Sequence, residues 1–262
     1  MTTTVAVEKS VNRIELEQKV KDMYEQVARD PFGEFHFERG RAGAERRGYP
    51  AADLDRIPRE AVDAFAGVGF HFDLAAIEPG ETVLDLGSGS GMDSFIAALR
   101  TGANGKVLGV DMTDAQREKA ERLRDRDGFT RISYHKAYIE HTPFADNSID
   151  AVISNGVINL AADKTAVFRE AARLLKPGGR LAISDIITEK ELPEGVTCNA
   201  TLWAACIGGA LQQDRYTDAI REAGLRLVTL RSNPQYRFLT ASAQKACATY
   251  GVKSVSLLAI KD

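Results

Sequence analysis

No apolar run in this chain approaches the ~20 residues that a membrane-spanning helix needs, so no membrane partner is expected. Cysteine is scarce and odd in number, three in 262 residues; that makes no disulfide framework and fits a reducing compartment. A dominant charge is missing too. Lys plus Arg number 34 and Asp plus Glu 37, for a formal net charge of −3. No large positive field exists to hold a nucleic acid. Repeats, low-complexity tracts and linkers long enough to separate two domains are also absent. The start, MTTTVAVEKS, lacks the basic region and apolar stretch of a secretory signal. A soluble cytoplasmic protein is the expectation.

What is present is ordinary globular material, 44% apolar and 27% charged. Residues 1–75 are charged, with helical spacing at Ile14, Val20, Met23 and Val27; they read as a helical N-terminal extension or lid. Within them the Arg-rich stretch Phe32–Tyr49 reads as a loop or lid. From Glu81 the texture changes to short, continuously apolar runs: Thr82–Leu86, Lys106–Val110, Ile132–His135, Asp150–Ser154 and Arg180–Ser184. Continuous rather than alternating apolarity means strands covered on both faces, as in a parallel sheet. Helical patterns lie between them, at Met92–Arg100, Asp114–Arg126 and Asp163–Leu175. That alternation is the mark of βαβ units. After Asp185 the pattern predicts a helix over roughly Cys198–Leu211 and another over Asp214–Ala223. A strand at Leu225–Leu230, a helix at Thr240–Tyr250 and a last strand at Val255–Ile260 complete it. Residues 76–262 are thus expected to form an α/β domain with a helical cap insertion around 190–215.

The most informative segment is Val83-Leu-Asp-Leu-Gly-Ser-Gly-Ser-Gly-Met-Asp93: a buried strand, a loop with Gly87, Gly89 and Gly91, then a helix start. Glycines let a ligand approach the backbone without meeting a Cβ, and the helix N-terminus offers N–H groups. A dinucleotide loop needs G-x-G-x-x-G, but its third glycine position is Met92, and no G-K-[ST] follows for a phosphate loop. The acidic Asp85 at the loop would repel phosphates but could accept from an ammonium group. Asp111, twenty residues beyond Gly91 at the end of the second strand, can take both ribose hydroxyls. A nucleoside carrying an amino acid instead of phosphates meets both demands: S-adenosylmethionine (SAM), with S-adenosylhomocysteine (SAH) as its product.

This segment resembles motif I of class I SAM-dependent methyltransferases. Leu174-Leu-Lys-Pro-Gly-Gly179 looks like the post-helix motif of the same superfamily, and Val110-Asp-Met-Thr113, Tyr138-Ile-Glu140, Pro143–Asn155, Val157–Leu160 and Ala182–Asp185 are similar to its arsenite methyltransferase branch. The resemblance implies a Rossmann-like, seven-stranded, mostly parallel sheet with helices on both faces. It implies that Gly87, Gly89 and Gly91 wrap the methionine part, Asp111 binds the ribose, and Met112 packs on the adenine. Ile139 and Glu140 would contact the adenine edge, Asn155 would sit beside the methionine moiety, and Tyr24 would close over the cofactor.

The branch departs here in its thiols. Arsenite enzymes hold As(III) through soft thiolates, but their S-N-C-V-x-N-L reads Ser154-Asn155-Gly156-Val157-Ile158-Asn159-Leu160, and residues 1–197 hold no cysteine. No thiol stands in Phe65-Ala-Gly-Val-Gly69 either. Cys206 alone matches. Cys198, eight residues earlier, would share a helix face with it if both lie on one helix; both also read as small buried hydrophobes. Candidate bases are His36, in Phe35-His-Phe37, and His71, in Gly69-Phe-His-Phe72; His135 and His141 read as structural. Phe32, Phe35, Phe37, Phe70, Phe72 and Trp203 fit an acceptor wall or the underside of a cap. Arg39, Arg41, Arg46 and Arg47 fit a solvated face or a greeting for an acidic substrate.

The expectation is therefore methyl transfer to a small-molecule acceptor, with a thiol or other soft nucleophile favoured. Arsenite handled by Cys206 and Cys198 is one alternative, and a non-catalytic SAM-binding module the other.

Overall fold

Strand and helix alternate along the chain as the apolar runs predict, in a computed structural model that describes residues 12–31, 33, 35, 37–199, 202–203 and 206–262. Phe32, His36, the segment MTTTVAVEKS and part of the 198–211 stretch lie outside the described residues. The strands are β1 (Thr82–Leu86), β2 (Lys106–Asp111), β3 (Ile132–Lys136), β4 (Ile149–Asn155), β5 (Leu175–Thr188), β6 (Leu211–Gln212), β7 (Leu225–Ser232) and β8 (Lys253–Lys261). They form one sheet in the order β3-β2-β1-β4-β5-β8-β7, with the two-residue β6 beside β5. β1 to β5 pair in parallel, and β8 runs antiparallel between β5 and β7.

Each strand's apolarity is spent on two faces. Val83 packs into one cluster with Phe95, Ile96, Val107 and Ile153. Leu84 and Leu86 point the other way, into a cluster with Val152, Phe168, Leu181 and Tyr216. Helix α1 (Arg13–Arg29) comes first in the chain; the first face is supplied by the helices after it as far as α7, of which α6 (Met92–Thr101) and α7 (Asp114–Asp127) pack directly on the sheet. Between α1 and α6 come α2 (Gly40–Arg47), α3 (Ala51–Leu54), α4 (Arg59–Asp63) and α5 (Phe72–Ala75). The second face is covered by α8 (Lys164–Leu174) and, after the short α9 (Glu194–Thr197), α10 (Gln213–Glu222). The helix α11 (Ala241–Tyr250) precedes β8.

A third apolar cluster lies elsewhere, joining α1, Val68, Leu160, Trp203, Cys206, Tyr236 and Ala243. It roofs the carboxyl edge of the sheet. Helix α1 owes its place there to buried Leu16 and Val20, while Val27 packs separately with Phe37 and Ala64; fully burying side chains of this kind stabilises by ~1.5–3 kcal/mol each. Ile14, counted above in its periodic stripe, is 82% exposed instead. Asn12 caps the helix, its side chain accepting from the N–H of Ile14 and of Glu15.

Two readings need correction. The Arg-rich stretch contains a helix, α2, ended by Gly48 in the left-handed region at φ 103°, where glycine carries no steric penalty. Arg41 and Arg46 do lie on an exposed face, Arg41 paired with Glu45 and Asp55 and Arg46 with Glu38. Arg47 is buried against the Phe65 and Tyr236 rings. Second, Cys198 and Cys206 do not share a helix. Cys198 closes α9, whereas Cys206 sits in a turn at φ 61°, a conformation no helix residue holds. Among the described residues no helix is long and apolar enough to cross a membrane.

Candidate functional site

The strand order reverses between β1 and β4, whose carboxyl ends, Leu86 and Ser154, stand side by side. The two loops leaving them diverge, and such a crevice is where open α/β sheets lodge ligands. Here it is a cavity of about 460 Å³. Asp85 and the Gly87–Ser90 loop form its floor, Asp111–Thr113 and Tyr138–Glu140 one side, Asn155, Val157 and Leu160 the other. Leu16, Val20 and Tyr24 of α1 close it above, beside Phe65-Ala-Gly67.

The glycine loop is folded onto β2. The N–H groups of Gly87 and Ser88 both donate to Val110 O, at 2.8 and 2.9 Å. Gly87 holds φ 72°, and a Cβ there would lie 2.5 Å from Val157. Gly91 does not line this cavity; at φ 93° it starts α6, and a Cβ would strike the Tyr134 hydroxyl at 2.4 Å. Its glycine serves packing under the loop. Ser88 Oγ, buried in the cavity floor, has no hydrogen-bond partner among the described residues.

Asp111 is oriented from both ends. Its Oδ2 accepts from Gly89 N at 3.0 Å and its Oδ1 from Thr113 N at 2.8 Å. The Thr113 side chain also hydrogen-bonds the carboxyl, and burial pushes its pKa up despite these bonds. Met112, Ile139 and Glu140 line the cavity next to it, with burial raising Glu140 too. These residues come together as expected.

Asn155 also lines the cavity, but its amide is occupied by the protein. Its Oδ1 accepts from Val68 N (2.7 Å) and Gly69 N (3.2 Å), and its Nδ2 donates to Gly69 O, the Tyr49 hydroxyl and Asp93 Oδ2. The Tyr49 hydroxyl donates to Asp93 Oδ1 at 2.7 Å. This ring welds the Phe65–Gly69 segment to β4 and α6. Tyr49 and Asp93 were missed by the sequence reasoning. Asp93 carried a faint signal, an acid in the first turn after a glycine loop; Tyr49 carried none.

Helix α1 is fastened across the cavity. Gln116 Nε2 donates to Tyr24 O at 2.9 Å while its Oε1 accepts from Ser90 Oγ. At the mouth Lys21 donates to Glu17, and the Tyr138 hydroxyl donates to the same carboxylate. Those two bonds hold Glu17 below the usual carboxylate range. Tyr24 stacks on Phe37.

The lining is lopsided in charge: Glu17, Asp85, Asp93, Asp111, Glu140 and Asp163 against Arg13. Its far end, Leu16, Val20, Ala64, Phe65, Val157 and Leu160, is apolar. His71 is not there. Its ring stacks on Phe72, fully buried, with neither nitrogen partnered, and burial lowers its pKa to about 3. It takes no proton in the neutral range. Cys206 lies behind the wall, its thiol hydrogen-bonded with the Tyr24 and Asn159 side chains and pushed by burial up to about 12. Phe70 and Phe72 pack around Tyr49 rather than the cavity. Trp203 belongs to the roof cluster. His135 packs edge-on to Phe144, and His141 is an exposed turn residue.

A family profile described as a methyltransferase domain matches residues 77–224. An arsenite methyltransferase from Halobacterium salinarum is 40% identical over 189 residues, 72% of this chain and 48% of that protein. The human arsenite methyltransferase is 42% identical over 159 residues, 56% and 42% respectively. The chain thus spans about half the length of the curated relatives it matches. Among solved structures, an arsenic(III) S-adenosylmethionine methyltransferase from Chlamydomonas reinhardtii superposes with a TM-score of 0.63 at 31% identity, over 85% of this chain and 74% of that one. Geranyl diphosphate C-methyltransferase from Streptomyces coelicolor A3(2) shares the fold, at TM-score 0.69 and 18% identity over 94% and 98%.

Proposed function

Since the chain belongs to the SAM-dependent methyltransferases, we propose that it transfers a methyl group from SAM to a small acceptor with a soft nucleophile, a thiol above all. The observation that carries this reading is the division of the cavity into an acidic end and an apolar end without a base.

The acidic end fits the cofactor. Asp111 is held open for a ribose diol, Ser88 Oγ awaits a partner, and Asp85 and Asp93 stand ready for positive charge. Met112 and Ile139 would flank the adenine, Glu140 would meet its edge, Tyr24 would cover the methionine portion, and residues 1–75 would act as the lid. When bound, SAM would supply an electrophilic methyl, taken in line by the acceptor's electron pair as the carbon–sulfur bond breaks and its pair returns to the sulfur of SAH. The chain's own work is alignment and exclusion of water. Val157, Leu160 and Phe65 keep the far end dry, and the Asn155 ring fixes Phe65–Gly69 in place. Alignment of this kind can supply ~7–11 kcal/mol of barrier lowering.

Among the described residues no neutral imidazole or low-pKa thiol faces that apolar end. An alcohol would need a placed base. A thiol ionises partly on its own near neutrality, which is why a soft acceptor fits. A cavity of about 460 Å³ shared with SAM also favours a small one.

A metalloid acceptor is the second reading, favoured by the 40% identity to an arsenite methyltransferase. Against it, a Cβ at Gly156 would meet Val68 at 3.0 Å from a backbone at φ 75°. Cys206 carries a firmly protonated thiol, and Cys198 lies on a separate element.

The test is a screen of small thiols, phenols, amines and arsenite with purified protein and SAM, read by SAH release. Turnover of thiols is expected. Turnover of phenols or amines alone would overturn the soft-acceptor reading. Methylated arsenic lost in Cys206→Ser would establish the second. Bound SAM with no SAH from any acceptor would leave only a binding module.

A further inference from the structure

Two carboxylates on the cavity wall have no cation to answer them. Asp85, at the end of β1, is 2% exposed, and Asp93, in the first turn of α6, is 6% exposed. Asp85 Oδ2 accepts from Ser94 Oγ at 2.6 Å, and Asp93 is held by the Tyr49 hydroxyl and Asn155 Nδ2. All three partners are neutral. Neither acid is in an ion pair with any described residue.

The charged and titratable groups around the pair can be named from every side. Asp111 of β2 faces Asp85 and adds a like charge, while Tyr134 of β3 and Tyr49 stay neutral, their pKa values raised by burial. Arg100, two turns along α6, acts on Asp93 from a distance, but its guanidinium is bonded to Asp53 and to Phe72 O.

Resting on the donor assignment above, we propose that the Asp85–Asp93 pair is the charge site that distinguishes the cationic donor from its neutral-sulfur product, and that donor binding expels a proton from this pair. Burial of each acid, and for Asp85 repulsion by Asp93, keep a proton on the empty pair. Interacting acids of this kind titrate as a unit, so the proton belongs to both. Arrival of positive charge makes that proton redundant. One carboxylic O–H bond breaks, its electron pair stays on oxygen, and the proton leaves to solvent. Both carry an ammonium and a carboxylate, and SAM has the sulfonium charge in addition. The pair consequently contributes more to holding the donor than to holding the product.

The experiment is calorimetric titration of the full chain with SAM and with SAH, each in phosphate and in Tris, from pH 6 to 8. Because the two buffers differ in protonation enthalpy, a released proton appears as a buffer-dependent binding heat. SAM is expected to release more protons than SAH, with its affinity rising by up to tenfold per pH unit and that of SAH rising less. Asp93→Asn removes one acid and its repulsion of Asp85, so it should cut the excess release and narrow the gap between the two affinities. Tyr49→Phe takes a donor from Asp93, raises its hold on the proton, and should increase the release; it keeps the proposal testable if Asp93→Asn does not fold. SAM binding with the same heat in both buffers, or equal release by SAM and SAH, would overturn the inference while leaving the donor assignment standing. Failure of both ligands to bind would overturn that assignment as well.

Discussion

Replacing Asp111 by Ala separates a ligand contact from a structural brace. In the protein its carboxylate holds Gly89 N at 3.0 Å and Thr113 N at 2.8 Å, and it lines the cavity where a ribose hydroxyl would reach it. A hydrogen bond to a charged group contributes roughly 1.5–3 kcal/mol. Loss of the ribose contact should therefore weaken SAH binding by about 1.5–3 kcal/mol, roughly 10- to 150-fold in Kd. The two orphaned N–H groups carry a separate cost, of about 1–3 kcal/mol each where water cannot replace the acceptor, which lowers Tm. Calorimetric titration gives the first quantity, thermal unfolding without ligand the second. Asp111→Asn keeps the side chain's shape but offers only one acceptor oxygen, so it should fall between wild type and Ala in both. A Kd for Asp111→Ala within threefold of wild type, alongside a lowered Tm, would mean that the carboxylate braces the loop and never touches the nucleoside.

Other consequences follow from the same geometry. Asn155→Ala strips acceptors from Val68 and Gly69 and a donor from Asp93; thermal unfolding should show a loss of about 2–4 kcal/mol, and an unchanged Tm would deny the ring its bracing role. Gly156→Cys places a side chain in the left-handed region against Val68, at a cost of about 1–2 kcal/mol; denaturant unfolding measures it, and arsenite turnover should not appear with this single change. His71 is held neutral to about pH 3 in the folded chain against an ordinary 6.5. The unfolded chain therefore binds the extra proton first as pH falls, and the histidine's contribution, complete above pH 6.5, is lost by up to ~1.4 kcal/mol per pH unit below it. His71→Leu should remove that slope from the stability profile, and identical wild-type and variant profiles between pH 6 and 4 would refute the assignment.

Much of this was legible because buried parallel strands and a glycine loop each leave a local signature. The runs at 82–86, 106–110 and 132–135 became β1 to β3 almost residue for residue, and the Asp85–Asp111 spacing placed both acids on one cavity. What escaped was set by tertiary contacts. The GRAGAERR segment has no apolar stripe, and α2 exists because Arg47 and Ala44 bury against the body of the protein. Tyr49 meets Asp93 across 44 residues of chain, a pairing no local pattern announces. His71 looked like a base because aromatic neighbours suggest a pocket; those rings turned out to seal it from the cavity.

The central claim is that the acidic end of this crevice receives an adenosyl amino acid, and a crystal structure of the chain grown with SAH tests it most directly. The account predicts ribose hydroxyls on Asp111, adenine between Met112 and Ile139, and the amino-acid end over Asp85 and the Gly87–Ser90 loop. Density for SAH outside that crevice, or an adenine turned toward Phe65 with Asp111 untouched, would contradict it.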